Sequence, residues 1–272
     1  MSRFQRGLPA AFLSVVAVTA LLPLVVLVLS ALHQPGSFVV GISLPSHPSF
    51  GNFAKAWSQA GFASLYRSSA IIAVVVVPVA VIFASWAGYA LGTMSFRGRN
   101  AMLALLLLGM TLPFEVLVVP LYYSLRSWNL LNTYWAVILP LIGAFMPFGV
   151  FWMRAHFSSF PRSLLEAAEM DGASAWRIFW RVLIPNSRAS ITTLGLLYFL
   201  WTWNQFLLAL VLIQDPGRRT ATTGLSDFQG RYGINVPLLS AATILVIMPV
   251  TVIFLVFQRQ VIQGFLQGTV KE

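Results

Sequence analysis

The sequence predicts an all-α integral membrane protein, a single domain over residues 1–272 with six transmembrane helices and a helix-turn-helix loop on one membrane face. Three observations predict it. Hydrophobic residues make up 58% of the chain and charged residues 9%, against about 25% charged in an ordinary soluble domain. Six apolar stretches, at residues 10–32, 69–92, 101–125, 134–153, 190–213 and 236–257, each hold 20 to 25 residues. About 20 suffice to cross a hydrocarbon core of about 30 Å as a helix. Backbone groups in lipid must be satisfied internally, and the weak period-2 alternation excludes a barrel.

The first stretch follows Arg3 and Arg6 but is far longer than the apolar core of a signal peptide, so it reads as a retained helix. A segment at 33–68 follows, with Pro35, Gly36, Pro45, Ser46 and Pro48 and then an amphipathic piece at 50–65. The second, third and fourth stretches are joined by short connections. The third carries Glu115, the one formal charge within the six. Residues 155–189 make the longest connection before the fifth stretch, and the sixth closes the chain.

The net charge of +10, from 17 basic and 7 acidic residues, suits positive loops flanking spans better than a phosphate-binding surface, so no nucleic-acid partner is expected. With the N-terminus inside, the inner segments hold eleven basic residues: Arg3, Arg6, Arg97, Arg99, Arg154, Arg162, Arg177, Arg181, Arg188, Arg259 and Lys271. The outer ones hold six: Lys55, Arg67, Arg126, Arg218, Arg219 and Arg231. This bias places both termini and the 155–189 loop in the cytoplasm.

That loop carries the most informative run, SSFPRSLLEAAEMDGASAWRIFWRVLIP at 158–185. Pro161 suits a first helical turn, and a helix over 161–170 follows. Asp171-Gly172 is a turn pair, with Gly172 able to take the left-handed conformation that ends a helix. Ser174 can cap a second helix over 175–183, stopped by Pro185. Ala167, Ala168, Gly172 and Ala173 let another surface come close. On the residues alone an amphipathic linker lying in the headgroups stands beside this, with Trp176, Phe179 and Trp180 next to Arg177 and Arg181.

The run Glu166-Ala167-Ala168, Asp171-Gly172-Ala173, Phe179, Val182, Ile184 and Pro185 resembles the EAA loop of ABC importer permeases. In that family the loop is the coupling helix that docks on the ATPase subunit. Residues 113–122, Asn129 to Tyr134, Pro140, Trp203-Asn204 and the tail Phe257-Gln258-Arg259, Gly264, Gly268 and Lys271 are similar to the maltose-type carbohydrate branch. Ser68-Ser69 stands where that branch more often has Asn-Ser. The resemblance implies the transmembrane subunit of an ATP-driven importer in a bacterial plasma (inner) membrane. Its partners would be a second permease subunit, an ATPase dimer and an extracytoplasmic sugar-binding protein. ATP and Mg would be held by the ATPase partners, with no cofactor or metal in this chain. Glu166, Ala167, Ala168, Asp171, Gly172, Ala173 and Pro185 would couple to the ATPase.

The residues themselves agree on what is missing. With Lys55 and Lys271 the only lysines, there is no GxxxxGK[ST] loop to cradle ATP. There is no cysteine, and His33, His47 and His156 show no metal-ligand spacing, which argues against an enzyme. One buried acid is few for a proton-coupled secondary transporter, the alternative of a different class. Within the importer architecture, a polyol or glycerol phosphate is the alternative cargo to a sugar. A substrate pathway is sought among Tyr198, Trp201, Thr202, Asn204 and Gln205 of the fifth stretch and at Glu115. Tyr198, Trp201, Thr202 and Gln205 fall within a helical sector of about 100°, with Asn204 at its edge and Trp203 pointing the other way, toward lipid or a partner. Sugar rings stack on aromatics and hydroxyls bond to amides. The same residues also serve helix packing, and Glu115 reads equally as a packing anchor or a gate.

Overall fold

The computed structural model describes residues 3–39, 41–230 and 233–269 of the 272-residue chain, with side chains described over 12–39, 41–229 and 234–260. Arg231 and Lys271 lie outside the described residues, and Arg3, Arg6, Gly264 and Gly268 lie outside the described side chains. In chain order the helices are α1 (Arg3–Ala31), α2 (Gly51–Ala60), α3 (Phe62–Thr93), α4 (Arg99–Thr111), α5 (Val118–Ser127) and α6 (Trp135–Ser158). Then come α7 (Arg162–Met170), α8 (Ala175–Ile178), α9 (Ile184–Asn186), α10 (Arg188–Trp203), α11 (Leu207–Leu212) and α12 (Val236–Thr269). Among the described residues four segments are helical, long and apolar enough to cross a membrane: Phe12–Ala31, Phe62–Thr93, Trp135–Ser158 and Val236–Gln260. A bent pair, α4 with the Phe114–Ser127 segment, makes a fifth if it counts as one span.

Two predicted stretches are therefore not single helices. The third bends by 90° at Leu112 and Pro113, both extended with ψ 124°. A proline disfavours the helical conformation of the residue before it and lacks an N–H to continue the ladder. Glu115 thus sits in a 3₁₀ turn, Phe114–Leu117, and not mid-helix. The fifth stretch splits between α10 and α11. The Asn204 amide donates back to the Leu200 carbonyl at 2.8 Å, ending α10, and the Gln205 side-chain oxygen accepts from Leu208 N at 3.3 Å, opening α11. Both amides bond the local backbone in place of the helix ladder.

The chain divides into two compact units. One comprises Met1–Ala63 and Gly224–Pro249. There the buried Asn52 amide donates to the carbonyls of Ala31 and His33, each at 2.7 Å, satisfying acceptors that the end of α1 leaves free. The amphipathic piece at 50–65 folds as α2, ended by Gly61 at φ 66°, and the first residues of α3. Asn235 caps α12 through Leu238 N at 3.3 Å, and Gln229–Gly230 pairs antiparallel with Gly233–Ile234.

The other unit, Ser64–Thr223 and Val250–Glu272, holds the main core, with α6 packed against α4, α10 and α11. Close approach depends on glycine at two places. A Cβ on Gly88 would lie 2.7 Å from Met153 Cβ, and one on Gly149 would strike the Tyr198 hydroxyl and come within 2.8 Å of Ala84 Cβ. Real Cβ atoms do not come that close, so α3, α6 and α10 pack at this spacing only with glycine there.

Candidate functional site

The 158–185 run folds largely as its sequence dictates. α7 closes with Asp171 at its end, and Gly172 takes φ +73°. Gly172 N bonds the Glu169 carbonyl at 2.9 Å and Ala173 N bonds the Ala168 carbonyl at 3.0 Å, the paired pattern of a Schellman motif. The Ser174 hydroxyl accepts from Arg177 N at 3.4 Å, capping α8. The second helix departs from expectation. It passes through a π-helical turn at Phe179–Leu183 and does not stop at Pro185, which lies in the first turn of α9. The wider turn shifts the ladder so that Pro185 falls at a helix start, where its missing N–H costs little.

The loop is fastened to α3 and α6. The Tyr89 hydroxyl donates to the Ala175 carbonyl at 3.3 Å, and its ring meets Phe179 at 5.4 Å between centroids. Trp176 lies 5.8 Å from Trp86. His156 is bridged through both ring nitrogens, Nε2 to Ser187 Oγ at 2.9 Å and Nδ1 to Ser190 Oγ at 3.0 Å. Ser187 Oγ donates onward to the Leu183 carbonyl at 2.7 Å, so the neutral tautomer with the proton on Nε2 satisfies every member.

These anchors decide what the loop presents. Ala168 and Ala173 are half-buried against the core, so the Schellman turn packs inward through them. Glu166, Ala167, Asp171, Gly172 and Pro185 are exposed. Met170 is 88% exposed, with Trp176 exposed in the following helix. A methionine this exposed beside two small residues is an adaptable apolar contact surface. Met170 is the last residue of the helix expected over 161–170, and its apolar side chain is the signal that could have marked this surface.

The candidate pathway residues separate. Tyr198 is fully buried, donates to the Phe145 carbonyl at 2.6 Å and stacks on Phe145 at 4.7 Å. Thr202 is buried and its hydroxyl has no hydrogen-bond partner among the described residues. Trp201 is 40% exposed and packs edge-on to Phe148 at 5.0 Å. Asn204 is exposed and Gln205 half-buried at the helix break. Trp203, expected to face lipid or a partner, is instead buried against Tyr66 at 5.7 Å and Phe199 at 5.6 Å. Glu115 is exposed on its turn; its carbonyl accepts from Val118 N, and its carboxylate makes no hydrogen bond or ion pair with any described residue. The structure therefore joins Tyr198 and Trp201 through Phe145 and joins neither to Glu115.

Ser68, Ser69, Asn132 and Tyr134 carried only a family resemblance in the sequence, and Thr222 carried none, yet these residues hold this region in place. Ser69 Oγ accepts from Ala221 N at 2.9 Å, and Thr222 Oγ1 donates to the Gln205 carbonyl at 3.0 Å. Ser68 Oγ meets the Tyr134 hydroxyl at 3.1 Å. Asn132, at φ 60°, accepts from Gln214 N at 2.7 Å and Asp215 N at 3.1 Å through its side chain. Each bond spans a separation that no local pattern encodes.

Residues 77–267 match the family described as the binding-protein-dependent transport system inner membrane component. The probable ABC transporter permease protein YurM of Bacillus subtilis is 34% identical over 263 residues, spanning 96% of this chain and 87% of its own. The arabinooligosaccharides transport system permease protein AraQ of Halalkalibacterium halodurans is 34% identical over 262 residues, 94% of this chain and 93% of its own. The diacetylchitobiose uptake system permease protein NgcG of Streptomyces coelicolor is 31% identical, over 93% and 85% of the two chains. In fold, the chain is similar to one in the crystal structure of a bacterial ABC transporter involved in import of the acidic polysaccharide alginate. There the TM-score is 0.80 at 23% identity, covering 95% of this chain and 98% of that one.

Proposed function

This chain belongs to the family of binding-protein-dependent transport system inner membrane components and is a permease subunit of an ABC importer, and we propose that its cargo is a carbohydrate delivered by an extracytoplasmic binding protein. The observation that carries the cargo class is the near full-length similarity to permeases named for arabinooligosaccharide and diacetylchitobiose uptake. The Trp201–Phe148 edge supports it from this chain's own residues, since exposed aromatic faces suit sugar rings.

In this reading the chain is one membrane domain of six spans, counting the bent third and the broken fifth, with both termini inside. It pairs with a second permease subunit and with two ATPase subunits that hold ATP and Mg. Glu166, Ala167, Asp171, Gly172 and Met170 form the docking face. Ala168, Ala173 and Pro185 set its shape. ATP-driven closure of the ATPase pair moves the two permeases' loops together, and because α8 is tied to α3 through Tyr89, that movement is passed to the spans. Trp201, Asn204 and Gln205 line the route, with Glu115 on it or beside it as a gate. Tyr198 and Thr202 support that face from behind.

The test is ATPase stimulation of the purified complex by its binding protein, loaded in turn with neutral oligosaccharides, polyols and glycerol phosphate. Stimulation by oligosaccharides alone is the expected result. Stimulation confined to polyols or glycerol phosphate overturns the cargo assignment. Uptake unaffected by loss of the partner's ATPase activity overturns the ATP-driven mechanism.

A further inference from the structure

We propose that the cavity between the ends of α3 and α6 and the adjoining α7 binds a lipid headgroup carrying both a phosphate and a primary ammonium, the phosphoethanolamine type. The inference rests on the topology above, which puts these helix ends at the inner face of the bilayer.

The cavity has a volume of about 690 Å³. Arg99, Arg154 and Arg162 line it, and α7 adds Glu166 and Glu169. Two of the guanidinium groups come to one atom: Arg99 Nε donates to the Leu91 carbonyl at 2.9 Å, and Arg154 Nε to the same oxygen at 3.4 Å. That carbonyl belongs to the last turn of α3, where acceptors are free and cations are favoured. Each fork uses one nitrogen there. The terminal nitrogens of Arg99 and Arg154 have no partner among the described residues.

Two like charges drawn to one acceptor repel unless an anion lies between them. Guanidinium forks match phosphate oxygens in pairs. The same cavity holds two carboxylates three residues apart on α7, which share a helix face. Among the described residues no ion pair within 4.0 Å joins them to the three arginines. A cationic wall and an anionic wall are held in one cavity without neutralising each other. Their complement is a zwitterion, with phosphate on the arginines and a three-donor ammonium on Glu169, the carboxylate of that wall outside the docking face. A trimethylated ammonium has no N–H to give, and a glycerol headgroup has no cation. Met94 and Leu165 also line the cavity, offering apolar surface where the acyl chains would begin. A lipid seated there would contact α7, α3 and α6 together and so hold the docking helix at one angle.

The test is native mass spectrometry of the complete, delipidated importer titrated with phosphatidylethanolamine, phosphatidylglycerol and phosphatidylcholine of the same acyl chains. Phosphatidylethanolamine should be retained about tenfold more tightly than either. Arg99→Gln with Arg154→Gln should weaken the ethanolamine and glycerol lipids alike, by about tenfold or more. Glu169→Gln should remove the preference between those two while leaving both bound. The ATPase subunits remaining in the same spectrum report assembly. If the double variant disassembles, Arg154→Lys, which keeps charge but loses the fork, makes the same comparison with a smaller loss. Equal retention of the three lipids, or unchanged retention in these arginine variants, overturns the proposal. Displacement of the lipid by micromolar soluble phosphoethanolamine overturns the lipid source in favour of a water-soluble ligand. An importer that transports carbohydrate yet retains no lipid refutes this site alone, and one that retains the lipid yet responds to no carbohydrate refutes only the cargo.

Discussion

The 158–185 loop and the span-five face belong to the same compact unit, but they are held in different ways. The loop's turn and cap are set by bonds between near neighbours, Gly172 to Glu169, Ala173 to Ala168 and Arg177 to Ser174, and only its seat on α3 and α6 by the distant Tyr89 and His156. The span-five face is set by distant partners: Tyr198 to Phe145, Ser69 to Ala221, Thr222 to Gln205. A substitution in the loop should therefore alter function while leaving the bundle intact. A substitution in span five should alter packing, function or both, depending on which side of the helix it strikes.

Topology gives the largest contrast, because its outcome is all or none. The chain has no native cysteine, so single cysteines report cleanly. An impermeant thiol reagent applied to intact cells should label His47→Cys and leave Ser174→Cys untouched, both positions being exposed. Labelling of position 174 from outside would place the loop on the wrong face and dissolve the comparison.

Next comes Gly172→Val. A Cβ there meets nothing within 4 Å in this chain, yet φ is +73°. The strain of about 1–2 kcal/mol falls on the backbone of the Schellman turn alone. Transport should fall by about tenfold or more as the docking face changes shape, with the subunit still inserted and its melting temperature within a few degrees. Normal transport with the ATPase retained would remove Gly172 from coupling.

Trp201 and Trp203 sharpen the contrast within span five. Trp203→Ala removes a buried ring that packs against Tyr66 and Phe199. Large-to-Ala changes of this kind cost about 3–5 kcal/mol, so thermal stability and yield should drop. Trp201→Ala removes a half-open ring and should lower sugar uptake severalfold at matched expression, with little change in melting temperature. Equal loss of stability in both variants would reassign Trp201 to packing.

What was legible follows the same division. Gly172, Ser174 and the α7 boundaries were readable because capping chemistry is local. The broken fifth stretch was not read, because Asn204 and Gln205 were weighed as pathway amides and not as groups that bond their own backbone. The bend at Pro113 was present in the sequence as a proline two residues before Glu115, but apolar length outweighed it. A helical wheel placed Tyr198 and Trp201 on one side, and both do meet Phe145. No wheel reveals that the opposite sector meets α3 at Tyr66, so the expectation put Trp203 on the outside. The loop's inward side was equally hidden: Ala168 and Ala173 are small in order to pack, while Ala167 is small and exposed.

The smallest effect tests how tightly span five is fitted to α6. Tyr198→Phe removes one hydrogen bond, to the Phe145 carbonyl. The cost should be about 0.6–2 kcal/mol, read as a small drop in melting temperature with uptake unchanged. Gly149→Ala should cost more, since its Cβ would meet the Tyr198 hydroxyl and lie 2.9 Å from Tyr198 Cζ and 2.8 Å from Ala84 Cβ. The two changes should not add. Removing the hydroxyl frees the space the methyl needs, so Tyr198→Phe should recover part of the stability lost in Gly149→Ala. Recovery should be partial because the Ala84 and ring-carbon contacts persist. Strict additivity in this double-mutant cycle would show that the two helices are not in the contact described, and that Tyr198 does not support the Trp201 face from behind.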